Sequence, residues 1–206
     1  PGSLVGSEMC IRDRIYTMES IIAFDKELFL FLNGLGNNRF DQFWMFMTHR
    51  ASNALVYISI ILLLSFKIKR KQIISLVIFG LILILFTDQL TNLFKVQVGR
   101  LRPCFDSELK DMIRLVKLTC GGKFSFFSGH ASNSFALAFF FGKVVKRHFK
   151  IVNVILIFIA GLISYSRIYI GVHYPLDIIC GMLVGTIIGI VFYWIWEKTK
   201  YSSYEY

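Results

Sequence analysis

Five apolar runs, at about 51–66, 73–94, 127–145, 151–166 and 174–196, constrain this chain more than any other feature. A helix needs roughly 20 such residues to cross a bilayer, and the first run, slightly short, ends at Lys67 and Lys69, which can snorkel to the interface. The expected fold class is therefore all-α: an integral membrane bundle of about five transmembrane helices. Composition agrees, since 55% of the residues are hydrophobic and 17% charged, against roughly 25% charged in soluble domains. A length of 206 residues leaves room for one bundle and no added soluble domain. The net charge of +10 comes from basic residues in short loops between apolar runs, which orients a protein in a bilayer and argues against a nucleic-acid partner.

Residues 1–17 are set aside as a non-native, adaptor-derived leader: Met-Cys-Ile-Arg-Asp-Arg at 9–14 has neither an apolar core nor a cleavage site of a signal peptide. The native start is expected at Met18, with 18–206 as a single membrane-embedded domain. From Glu19 to Asn33 apolar residues are interrupted by Asp25, Lys26 and Glu27, the pattern of an amphipathic helix lying in the interface. A turn at 33–38 and a short aromatic segment, Phe40 to Met47, lead into the first span.

Charge sets the expected orientation. The basic loops at 67–71 and 146–150, and the tail with Lys198 and Lys200, belong on the cytoplasmic side. Five crossings then place the N-terminal segment, the 96–126 loop and the 167–173 loop outside. That long outer loop is itself basic, with Arg100, Arg102, Lys110, Arg114, Lys117 and Lys123. A translocated basic loop is better explained by an anionic ligand than by topology.

Three stretches meet on that outer face: Lys95 to Pro103, Ser128-Gly129-His130, and Ser166 to Asp177. In the last, Pro175 suits the first turn of a helix starting at about Tyr174, and His173 and Asp177, four apart, share a face on which the carboxylate can orient the ring. Ser128 stands where a helix begins, so the free N–H groups at Gly129 and His130 form an anion site. Lys95, Arg102 and Arg167 add cations, and two histidines fill the nucleophile and acid roles of phosphoryl transfer.

These stretches resemble the motifs of the type 2 phosphatidic acid phosphatases, a family related to bacterial vanadium haloperoxidases and glucose 6-phosphatase. The matching forms are Lys-x6-Arg-Pro at 95–103, Ser-Gly-His at 128–130 and Ser-Arg-x5-His-x3-Asp at 166–177. The chain departs from the family in carrying Phe127 where Pro usually precedes Ser-Gly-His. The resemblance implies that His173 is the nucleophile forming a phosphohistidine, Asp177 its orienting partner and His130 the acid for the leaving group. It implies that Lys95, Arg102, Arg167, Ser128 and the Gly129 amide hold the phosphate, with no metal and no cofactor.

Other residues have plainer readings. Asp88 and Asn92 read as interhelical hydrogen-bonding groups, with support of Lys95 as the alternative, Arg100 as a solvated neighbour of the site, with contact to a second phosphate as the alternative, and Trp194 and Trp196 as an interfacial belt. Gly181, Gly185 and Gly189 read as a close-packing stripe. Cys104 and Cys120 bracket the outer loop in an oxidising compartment, so a disulfide between them is expected, against two free thiols as the alternative.

The function expected is metal-independent hydrolysis of a lipid phosphate or diphosphate at the outer face of a bacterial inner membrane. The candidates are undecaprenyl diphosphate and lipid A phosphate first, then phosphatidylglycerol phosphate and phosphatidic acid. The partners are this lipid and the bilayer itself. Two alternatives stand beside it: a phosphotransferase delivering the phosphoryl group to an acceptor other than water, and an anion or lipid transporter, which would want broken midplane helices and an internal repeat that the chain lacks.

Overall fold

The computed structural model describes residues 2–202, with side chains described for 18–199, so the side chains of the expected leader at 1–17 lie outside the described part. Seven α-helices follow in order: α1 (Gly2–Gly34), α2 (Asp41–Thr48), α3 (Arg50–Ser65), α4 (Arg70–Val98), α5 (Gly129–Val145), α6 (Lys150–Tyr169) and α7 (Pro175–Ser202). Single 3-10 turns cover Asn38–Phe40 and Pro103–Phe105. Among the described residues no strand forms; Leu101 and Phe124 make one isolated antiparallel bridge. α4, α6 and α7 are long and apolar enough to cross a membrane, and the α2–α3 segment, bent by 56°, would make a fourth crossing if counted as one broken span.

At the centre lies α5, packed most extensively against α7 and then against α6 and α4. The expected glycine stripe explains how α7 comes so close. A methyl group on Gly181 would stand 2.7 Å from the Ser128 carbonyl oxygen, and methyls on Gly185 and Gly189 would collide with the carbonyls of Ser132 and Ala136. Small residues on α5 answer them: Ala131, Ala136 and Ala138 are fully buried. Without a hydrophobic drive between helices in lipid, such backbone approach is what holds two helices of a membrane bundle together. Farther out, Leu64, Leu76, Leu83, Phe140 and Leu156 complete the core.

Two pairs of polar groups link helices inside the bundle. Asn133 on α5 donates to Asp88 on α4 at 2.7 Å and is met by the Thr87 hydroxyl, an interhelical bond of the kind expected for Asp88. Trp196 departs from the belt reading: it is 2% exposed and packs edge-on to Phe140, whereas Trp194 is exposed. Near the same end, Arg147 after α5 pairs with Glu197 of α7 at 2.8 Å.

α1 differs from the expected interfacial helix in which way it faces. Asp25, Phe29 and Asn33, spaced by four, form its buried stripe, while Ile21, Ile22, Phe24 and Phe31 are exposed. Asn33 is a knot in this contact. Its amide donates to the carbonyls of Arg114, Ile168 and Tyr169 at 3.0, 3.1 and 3.0 Å, and its oxygen accepts from the Arg114 N–H at 2.7 Å. One side chain thereby closes the C-terminal end of α6 and ties the outer loop to α1. The chain then reverses at Gly171, whose φ of +82° puts it in the region glycine alone adopts freely, and where a side chain would strike the Arg114 carbonyl.

The α5–α7 contact yields a paired prediction. Gly185→Leu should lower the thermal transition of the detergent-solubilised protein, because overpacking a tight contact costs about 1–3 kcal/mol. Gly161→Ala, at a helical glycine with open space around it, should hold or raise it. Equal transitions for both variants would show that the stripe does not set the packing.

Candidate active site

The site is built where helix ends gather on one side of the bundle. α4 ends there with Lys95 in its last turn and stops at Gly99, whose φ of +65° and N–H to the Lys95 carbonyl (3.1 Å) form a left-handed cap. α5 begins there, α6 ends there with Arg167, and α7 starts just after His173. A cavity of about 500 Å³ opens between them, with Lys95, Arg102, Gly129, His130, Arg167 and His173 on its wall. Ser128 and Asp177, both fully buried, stand directly behind it.

His173 lies in the turn between α6 and α7 and is 1% exposed. Its Nδ1 faces an Asp177 carboxylate oxygen at 3.4 Å, and the same oxygen accepts the Tyr174 N–H at 3.0 Å. The other Asp177 oxygen accepts from Arg100 at 3.0 Å. Burial, and then the neighbouring Arg167, Arg102 and Lys95, hold the imidazole well below its ordinary value, so the ring is neutral and its lone pair is available at pH 7. With Nδ1 turned to the carboxylate, Nε2 is the nitrogen left for the cavity.

Ser128 caps α5: its hydroxyl accepts the Ala131 N–H, and its own N–H donates to the Asp177 carbonyl at 3.0 Å. The second and third motifs therefore touch through backbone. His130, the second residue of α5, is half-buried. Phe127, in the place of the family's proline, is 2% exposed and packs against Phe94.

The two guanidinium groups are held by neutral acceptors. Arg102 donates to the Cys120 carbonyl at 2.6 Å and to the Phe124 carbonyl at 3.2 Å, and is 8% exposed. Cys104 and Cys120 are joined by a disulfide with Cα atoms 6.3 Å apart, so the bridge anchors the segment whose carbonyl carries Arg102. Arg167, 4% exposed, donates to the Thr48 hydroxyl of α2, and its Nε–H has no partner in the structure. An unsatisfied buried donor on the wall of a cavity is a place for a ligand oxygen.

Three features were not anticipated. Arg50, at the start of α3, lines the cavity and adds to the positive field on His130 and Arg167. Its position just before an apolar run was the available signal. Lys117 joins this field: burial, and then Arg167, Arg102 and Arg50, lower its ammonium below the ordinary lysine value. Arg100 is no solvated neighbour. It is 19% exposed and lies between Asp25 and Asp177, because both carboxylates are buried and need a counter-charge.

Comparison with known proteins places this architecture. The model of the PAP2 superfamily matches residues 74–201, and the chain belongs to that superfamily. It is 34% identical to the lipid A 4'-phosphatase of Porphyromonas gingivalis, over 84% of this chain and 72% of that protein. Among solved structures, LpxE of Aquifex aeolicus is 27% identical with a TM-score of 0.60, covering 81% of this chain and 92% of that one. A PAP2-type phosphatidylglycerolphosphate phosphatase of Bacillus subtilis shares the fold with a TM-score of 0.69 at 20% identity, each chain being covered to 87%.

The loop geometry predicts that Cys104→Ser/Cys120→Ser loses stability on the order of 3 kcal/mol, the chain-entropy value for a loop of about 15 residues. The same change should weaken substrate binding several-fold through Arg102. Thermal unfolding and KM check the two effects together; a lower transition with unchanged KM would separate the bridge from Arg102.

Proposed function

We propose that this chain hydrolyses the phosphate of a membrane lipid at the outer face of a bacterial inner membrane, through a phosphohistidine on His173. The observation that carries the reading is the buried His173–Asp177 pair opening into a cavity walled by Lys95, Arg102 and Arg167. The cations and the first N–H groups of α5 receive the phosphate oxygens and the charge that grows on them in the transition state. Nε2 of His173 attacks phosphorus, and the bond to the lipid oxygen breaks as His130, protonated once the bound phosphate offsets the surrounding cations, donates its proton to that oxygen. Water then attacks the phosphohistidine while His130 takes a proton back. Inorganic phosphate leaves and Nε2 regains its lone pair. Lysine and arginine supply the positive charge in this scheme, so it needs no metal.

Lipid A phosphate is the substrate we favour. Two lipid A 4'-phosphatases, from Porphyromonas gingivalis and Bacteroides thetaiotaomicron, are 34% and 33% identical to this chain over most of its length. The cavity suits a lipid: from the cationic end it runs past Asn53, Asp88, Asn92 and Asn133 to an apolar trough of Ile58, Ile61, Leu81, Ile84 and Phe141. The proposal includes five crossings, counting α3 and the 17-residue α5. α5 is sheltered by its neighbours and need not present a full bilayer length of apolar surface to lipid. The basic segments around Lys67–Lys71 and Lys146–Lys150 lie at the helix ends opposite the site, which supports an outward-facing cavity.

The purified protein should release inorganic phosphate from lipid A in detergent micelles containing EDTA, faster than from undecaprenyl diphosphate, phosphatidylglycerol phosphate or phosphatidic acid. His173→Ala should abolish release. Loss in EDTA would overturn the metal-free scheme, and turnover by the alanine variant would remove His173 as nucleophile. A reporter fused after Lys71 should behave as cytoplasmic and one near Lys110 as exported; the reverse pattern would refute the outward-facing site.

A further inference from the structure

Asp25 lies outside the three motifs and Arg100 fills one of the unspecified positions of the first, yet both are wired to their centre. Arg100 donates one nitrogen to an Asp25 oxygen at 2.6 Å and another to an Asp177 oxygen at 3.0 Å, with its guanidinium 3.9 Å above the ring centre of Tyr174. The remaining Asp25 oxygen accepts the Leu176 N–H in the first turn of α7 at 2.9 Å. Asp25 is 2% exposed and Asp177 fully buried, so each is a charge that the interior tolerates only when paired. A continuous chain results: Asp25, Arg100, Asp177, His173.

We propose that Asp25 and Arg100 are positioning residues for catalysis, and that α1 is thereby a working part of the active site. The proposal rests on the assignment of His173 as nucleophile. Asp177 can hold the imidazole only if its carboxylate plane is fixed, and the Tyr174 N–H grips one of its oxygens while Arg100 grips the other. Arg100 alone could swing toward the anionic ligand a few residues away. Asp25 prevents this by anchoring the far side of the guanidinium, and its second oxygen ties that anchor to the helix carrying Asp177. Tyr174 completes the cradle: it covers the Arg100 plane, its hydroxyl donates to Asp106 at 3.1 Å, and its ring meets Phe29 of α1 edge-on. Lys26, beside Asp25, bonds Asp106 at 2.9 Å and so pins the loop after Arg100 to the same helix. Every one of these contacts leaves Arg100 unavailable to phosphate, in contrast to Arg102 two residues on.

Three variants test this on lipid phosphate release, with active protein counted by thermal unfolding and size exclusion: Asp25→Asn, Arg100→Met and Arg100→Lys. Loss of a partner behind a reacting group costs roughly 10- to 100-fold. Asp25→Asn and Arg100→Met should lower kcat by about that much with KM within about twofold, and Arg100→Lys should recover part of it. Combining Asp25→Asn with Arg100→Met should cost little beyond Arg100→Met alone, since both act through one chain. Inhibition by orthovanadate, which binds the nucleophile in a transition-state-like geometry, should weaken in step with kcat. A merely structural role would lower the thermal transition while leaving kcat per folded molecule and vanadate affinity unchanged, and would overturn the proposal. A rise in KM at constant kcat would overturn it too, by making Arg100 a phosphate ligand. If Arg100→Met fails to fold, Asp25→Asn and Arg100→Lys, both near in size to the originals, still decide. Full turnover by His173→Ala would defeat the assignment of the nucleophile; loss there with wild-type kinetics in Asp25→Asn would defeat only the role of Asp25 and Arg100.

Discussion

Burying the guanidinium groups of Arg102 and Arg167 beside Lys95 is the constraint on which the rest of the structure depends. Like charges brought together out of water are costly, and the usual remedy is a carboxylate beside each. Here the remedy is different. Arg102 is held by two backbone carbonyls and Arg167 by a threonine hydroxyl. Neutral acceptors fix the geometry without cancelling the field, so the positive potential remains for an anionic ligand. Asp177, which faces His173, is already engaged by Arg100. Much of the architecture around the cavity follows from this choice: α2 delivers Thr48, and the loop carrying the Cys104–Cys120 bridge delivers the carbonyls that Arg102 needs.

The cluster also needs its three motifs held in fixed register, and the membrane helices supply that. Ser128 at the start of α5 donates its N–H to the Asp177 carbonyl of α7, and Gly181, one turn farther along α7, lies against the Ser128 carbonyl. The glycine stripe continues down α7, so the two motifs are aligned by backbone against backbone and not by flexible side chains. Rotamer freedom is thus removed from the contact that sets the distance between the second motif and His173. The same logic explains why most of α5 is buried: its N-terminus stands at the cavity wall and it serves as the surface on which α4, α6 and α7 are aligned.

Much of this was legible in the sequence. The apolar runs marked α3 to α7 of the bundle, and the spacing of the motifs singled out Lys95, Arg102, His130, Arg167 and His173 on the cavity wall but neither Arg50 nor Thr91. What was illegible concerns direction. Asp25, Lys26 and Glu27 read as the wet face of an interfacial helix, because in water polar residues face out. In this bundle Asp25 faces in with Phe29 and Asn33, while Glu27 is exposed together with the apolar Phe24 and Phe31. Arg100 was misread for a related reason: its partner Asp25 is 75 residues away, and nothing local signals a pairing at that distance. Trp196 was assigned to the interface by type alone, although its neighbour Trp194 occupies the exposed position and Trp196 the buried one, as neighbours on a helix point in different directions.

The gradation of polarity along the cavity has a consequence for the ligand. Below the cations come Asn53, Asp88, Asn92 and Asn133, and only beyond them the apolar trough. A phosphate joined directly to an alkyl or prenyl chain would place hydrocarbon against these amides and the carboxylate, leaving their hydrogen-bonding capacity unused. Asn133 already satisfies Asp88 in part, at 2.7 Å, yet a carboxylate accepts more than one bond. A headgroup with hydroxyl or amide donors between its phosphate and its acyl chains meets that zone on matching terms. The order cation, amide, hydrocarbon along one wall is therefore the order of groups in a phosphorylated, acylated sugar, and it argues for a glycolipid phosphate over a simple prenyl phosphate on grounds independent of sequence similarity.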